Sequence, residues 1–152
     1  MPGWTNAHKA DIFRQVYQRT TLPTNYHIAL VTSGDVPDAD TNVLGDLTEI
    51  PAGNGYTAGG YALTPGDTDF DFVEEDDAAD LGRIQIKDVE WLADGGPIPA
   101  TGTAAYAVMT DDNVVLASRK IAHYWSLGGE RSVQDGSPFR LINLEIRALE
   151  PT

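Results

Sequence analysis

The sequence predicts a mainly β domain, an antiparallel β-sandwich of jelly-roll-like character with one short amphipathic helix at its N-terminus. Three observations carry this. About seven or eight short runs alternate apolar and polar residues. Turn-forming clusters of Gly, Pro, Asn and Asp separate them at intervals of roughly 8–12 residues. A single segment has helical spacing, whereas a parallel α/β sheet requires helices between strands.

The helical segment is "TNAHKADIFRQVYQR". Thr5 or Asn6 supplies an N-cap, Ala10, Ile12, Phe13, Val16 and Tyr17 recur at helical spacing, and Arg14 and Arg19 lie toward the negative end of the dipole. The expected helix runs from about residue 7 to 18, after an N-terminal arm of residues 1–6 and within a single domain of residues 7–152. Pro23 stops it, and "NYHIALVT" (Asn25 to Thr32) alternates as the first core strand. "SGDVPDADTNVLGD" (Ser33 to Asp46) reads as a mobile acidic loop.

The next stretch, "LTEIPAGNGYTAGGYAL", holds Gly53, Gly55, Gly59 and Gly60 between two strand-like runs. Asn54-Gly55 has the composition of a type I′ turn, and Gly59-Gly60 permits a bend or a close backbone approach. Beyond it "DTDFDFVEE" alternates Phe70 and Phe72 with acids. "RIQIKDVEWLA" alternates until its parity slips near Lys87 and Asp88, which predicts a bulge or bend. "GTAAYAVMTDDNVVLASRKIAHYWSLG" has the form of two strands around the polar tetrad "TDDN". "FRLINLEIRAL" reads as a closing strand with Ile142, Leu144 and Ile146 on one face.

The 152 residues make one domain, with no visible repeat or linker. Asp and Glu number 23 against 10 Lys and Arg, a formal charge of −13, which disfavours nucleic acid and anionic lipid surfaces as partners. The absence of cysteine removes disulfides, thiolate metal sites and cysteine nucleophiles together. The N-terminal text has no apolar h-region, and no run approaches the roughly 20 apolar residues of a membrane span.

Candidate chemistry is sparse. "GNGYTAGGYALT" lacks the Lys and the following helix of a phosphate-binding loop. His8, His27 and His123 are scattered without an HExxH pair, and no GxSxG elbow is present. The sequence therefore assigns no catalytic residue, no cofactor and no enzymatic activity. Glu74, Glu75, Asp76, Asp77 and Asp80 form an acidic run without EF-hand spacing. It reads as a solvated charge run, or as a place where a cation bridges loops of different chains. Trp91 and Trp125 fall within strands as core residues, whereas Trp4 lies in the arm as a large apolar group without a partner.

Taken in order, "LTEIPAGNGYTAGG", "AAYAVMTDDN" and "AHYWSLGG" resemble a group of small tailed-bacteriophage virion proteins, head decoration or tail-associated in character, over Ala10 to Ile146. The resemblance implies a non-enzymatic structural protein made in the host cytoplasm and carried on the virion, most simply a capsid decoration or cement protein. A tail, connector or host-recognition module is the alternative. The implied partner is the major capsid protein or another virion protein, and the implied state is a homo-oligomer, a trimer by preference. Under this reading Trp4, Phe13 and Tyr17 form contact surface, and Asn54, Gly55, Tyr56, Gly59 and Gly60 pack on a sister subunit or the shell.

Overall fold

A computed structural model describes residues 2–149. The molecule is mainly β, antiparallel throughout its sheets, with one α-helix near the N-terminus. Gly3–Trp4 form β1 and Asn6–Tyr17 form α1. The strands that follow are β2 (Tyr26–Val31), β3 (Tyr61–Leu63), β4 (Phe72–Asp76), β5 (Leu81–Gln85) and β6 (Val89–Leu92). The remainder are β7 (Ala104–Thr110), β8 (Ile121–Arg131), β9 (Pro138–Leu141) and β10 (Glu145–Leu149). They assemble as a five-stranded sheet in the order β1-β8-β7-β2-β3, a three-stranded sheet β10-β5-β4 and a two-stranded sheet β6-β9.

The sandwich-like arrangement follows from the alternation along β2. Ile28 and Leu30 enter the larger core with Leu63, Val89, Trp91, Trp125 and Phe139, between the five-stranded sheet and the two smaller ones. Ala29 and Val31 face the other way, into a smaller core with Leu44, Leu47, Val108 and Ile121. All four β2 residues have zero exposure because the sheet is covered on both faces. Burial of each such Val, Leu or Ile side chain contributes about 1.5–3 kcal/mol.

The cover on the second face is the acidic loop, which is pinned rather than mobile. Thr32 N–H donates to Thr48 O, Ile121 N–H to Asn42 O and Leu44 N–H to Arg119 O, at 2.8–2.9 Å. Asp38 accepts from Asp40 N–H and the Thr41 hydroxyl, so its acids close turns. The apolar side of this loop, Leu44 and Leu47, is what the turn-rich composition concealed.

Two expected strands divide between sheets. The run from Arg83 to Ala93 leaves the ladder at Ile86-Lys87, where Ile86 N–H donates to Leu144 O and Lys87 N–H to Asp69 O, each at 2.9 Å. The Lys87 ammonium then pairs with the buried Asp69 carboxylate at 2.7 Å, so the parity slip marks a change of sheet and not a bulge within one strand. The closing run likewise breaks at Asn143, whose φ of 55° turns the chain from β9 to β10 and leaves Ile142 58 % exposed while Leu144 and Ile146 are buried.

The N-terminal residues are no free arm. β1 pairs with β8, Gly3 opposite Tyr124 and Trp4 opposite His123. The Trp4 indole donates to Arg147 O at 2.6 Å and the Trp125 indole to Glu145 O at 2.9 Å. These carbonyls, two residues apart on β10, face the same edge, so two tryptophans of the large sheet close an edge of the small one.

Candidate functional site

The glycine corner is closed from within. Gly53 and Tyr56 exchange backbone hydrogen bonds at 2.9 and 3.0 Å around Asn54 and Gly55, both at positive φ (55° and 99°), as a type I′ turn requires. A Cβ on Gly60, at φ 80°, would lie 1.9 Å from Ile28 O. Gly59 is enclosed by Arg119, whose guanidinium donates to Gly59 O, and by Leu116.

Tyr56, expected at an interface, is instead 3 % exposed. Its hydroxyl accepts from Leu30 N–H at 3.0 Å and donates to Glu49 at 2.7 Å, and the same Glu49 oxygen accepts from Gly59 N–H at 2.6 Å. Burial, then the Glu49 charge, pushes the Tyr56 phenol far above its ordinary value and keeps it protonated as donor. Glu49, which nothing in the sequence pattern singles out, is the brace of the corner. Asn54 also turns inward, its amide donating to Pro97 O at 2.9 Å.

The acidic hairpin does not converge on a cation site in the chain. Glu74 pairs with Arg83 across β4 and β5. Asp76 accepts from Ala78 and Ala79 N–H and so shapes the turn that carries Asp77 and Asp80. Among the described residues, no group of three or more His, Asp or Glu side chains is placed to hold a metal. Among them, too, no helix is long and apolar enough to cross a membrane.

Helix α1 is the opposite case. Thr5 caps it, accepting from His8 N–H at 3.2 Å while its buried hydroxyl donates to Ile121 O. Of its half-buried positions, His8, Asp11, Ile12 and Gln15 recur every three to four residues and face the β body, with Ala7 and Ala10 the other two. Asp11 meets Lys120 at 3.1 Å and Arg14 at 2.8 Å. Burial raises the Asp11 carboxyl, but these hydrogen bonds together outweigh it and hold the group below its ordinary value.

The seated face is thus largely polar, with Ile12 its one large apolar member, and the other large apolar residues look outward. Phe13 is 62 %, Val16 51 % and Tyr17 77 % exposed, with the two rings 6.2 Å apart, and no residue of the helix is buried. The expectation of contact residues at Phe13 and Tyr17 followed from the virion-protein resemblance. The structure places both on the solvent side.

Beside these polar ties, the start of the helix is held by a ring stack that no motif announces. Trp4 stacks on His8 at 5.6 Å and meets His123 edge-on at 5.7 Å, and His123 lies 4.6 Å from Trp125. His123 is 2 % exposed, and among the described residues neither ring nitrogen has a hydrogen-bond partner. Burial, then the neighbouring His8, lowers its pKa to about 3, and burial also lowers that of His8. The imidazole behaves as an apolar ring wedged beneath the N-terminal segment.

Beside this stack runs a groove of about 480 Å³ between the two larger sheets, lined by His8, Tyr26, Phe70, Val73, Ile84 and Met109 among others. A second hollow of about 440 Å³ lies under α1, where Asp11, Arg14, Asp111, Asp112 and Lys120 converge. Several of these charges already satisfy one another or backbone N–H groups. Asp112 accepts from Thr24 and Asn25 N–H, and Asp111 from Lys120 N–H. No protein-family model and no curated protein sequence matches the chain.

Proposed function

We propose that this chain is a non-enzymatic structural subunit of a bacteriophage virion, a capsid decoration protein that attaches to the assembled head as a homo-oligomer. The observation that carries the reading is the orientation of α1. A helix that seats its polar face on the body and turns Phe13, Val16 and Tyr17 to solvent has its apolar surface arranged for contact with protein. The body beneath it is tied at β1, at the helix cap and through the covering loop, so the surface is presented on a fixed frame. A net charge of −13 favours a position away from packaged DNA, on the outer side of a shell. The resemblance of the motif order to small virion proteins points the same way, and repeated weak contacts on a lattice add to firm attachment.

The test is to mix purified protein with phage heads lacking it and count copies per particle after sedimentation. Saturation at a multiple of the lattice symmetry is the expected result. Binding to tails or connectors with none on heads overturns the decoration reading in favour of the tail module.

A further inference from the structure

The geometry points to a specific partner for the outward face of α1: the groove beside β4 in a second copy of this chain. Phe13 and Tyr17 form a paired aromatic knob, with Val16 beside them. The groove is an apolar hollow floored by Tyr26, Phe70, Ile84, Met109 and Ile146, with Val73, 73 % exposed, at its rim. Each is the surface the other lacks.

Charge selects the same pairing. Residues 1–23 carry Lys9, Arg14 and Arg19 against one acid, Asp11. Residues 66–81, which include the groove's edge and the β4–β5 turn, carry eight acids and no base, and six of the acids remain once Asp69 and Glu74 are paired with Lys87 and Arg83. The basic helix therefore belongs to a chain whose own hairpin is its complement, and a docked helix would bring Arg14 and Arg19 to the acids around Val73. The same acids oppose direct edge-to-edge pairing of β4 with another β4, since like charges would then face each other.

His8 of α1 and Val73 of β4 line the same groove, so the helix begins at the rim of the hollow that its counterpart fills. Knob and hollow side by side suit a two-fold pair in which each copy gives its helix and receives the other's, making the contact twice. This pairing rests on the structural-subunit reading and names its self-contact.

Sedimentation equilibrium of the free, full-length protein tests it. Wild type is expected at twice the monomer mass. Phe13→Ala/Tyr17→Ala and, separately, Val73→Glu are each expected to raise the dimer dissociation constant on the order of tenfold or more. The thermal midpoint of the helix variant, measured as monomer, should stay near that of monomeric wild type because both rings are exposed. Mixing the two variants restores one intact helix–groove contact, so the mixture should associate more tightly than either variant alone. A monomeric wild type, or a helix variant that dimerises as wild type does, overturns the proposal. Mass is read without heads: a dimer that ignores heads defeats only the decoration reading, and a monomer that coats heads defeats only the pairing.

Discussion

The glycine corner and helix α1 answer opposite questions with similar material. Both contain aromatic and polar residues in short segments near the large sheet. In the corner each of these is turned inward: Tyr56 bonds Leu30 and Glu49, Asn54 bonds Pro97, and Gly60 lies against Ile28. In the helix the polar residues hold the body and the rings of Phe13 and Tyr17 are left over. A segment whose residues satisfy one another is architecture, and one whose apolar residues satisfy nothing in its own chain is available for contact.

The largest effect should come from breaking the closed region. Gly60→Val places a branched side chain at φ 80° and drives its Cβ into the Ile28 carbonyl, which neither backbone can yield without parting β2 from β3. A loss of about 4 kcal/mol or more is expected. Urea unfolding measures it, and a variant within about 1 kcal/mol of wild type would mean that the corner is looser than its contacts imply.

Next comes the join between the two regions. Trp4→Ala removes the indole bond to Arg147 O, uncovers His123 and releases β1, at an expected cost of about 3 kcal/mol. Sequence reading expected Trp4 to be surface whose loss spares the fold, so this substitution separates the two views directly. Unchanged thermal stability would return Trp4 to the contact surface.

The class of fold was legible because alternation and turn spacing are local signals, and β2 and β7 fall where the pattern puts them, while β8 begins only at Ile121, after a loop with a 3-10 turn at Leu116–Ser118 in place of the tight TDDN turn. The single helix was legible from its cap and spacing, but which face it buries was not. That choice was made by Asp11 with Lys120 and by Thr5 with Ile121, partners more than a hundred residues away in sequence. The same holds for the divided strands: the parity slip near Lys87 signalled a break, but Asp69 with Lys87 made it a change of sheet, and the turn at Asn143 divides a run in which Ile142, Leu144 and Ile146 keep one parity. Trp4 looked orphaned because its acceptor, Arg147 O, is a backbone atom near the other terminus. The glycines were read correctly as conformational, yet Glu49, which braces them, resembles any other surface acid until the Tyr56 hydroxyl is seen to reach it.

A smaller effect, graded by pH, sharpens the comparison at the ring stack. His123 is held neutral in the fold at a pKa of about 3, while an unfolded imidazole titrates near 6.5. Above about pH 6.5 neither state binds the proton and His123 makes stability independent of pH. Below it the unfolded chain binds a proton that the folded chain refuses, so stability falls by about 1.4 kcal/mol per pH unit, or about 2 kcal/mol between pH 6.5 and 5. His8 and His27, also lowered by burial, act in the same direction. Asp11, Asp38 and Asp69, lowered by their partners, lose their contribution only below the ordinary carboxylate range near 3.8. The window from pH 6.5 to 5 therefore belongs to the histidines. His123→Leu keeps an apolar filler against Trp4 and Trp125 and removes two unpartnered nitrogens, so it should flatten the slope and hold or raise stability at pH 5. Urea midpoints at pH 7.5, 6 and 5 for both proteins decide it. An equal slope in the two would place the pH dependence elsewhere, and the stack would then be no more than packing.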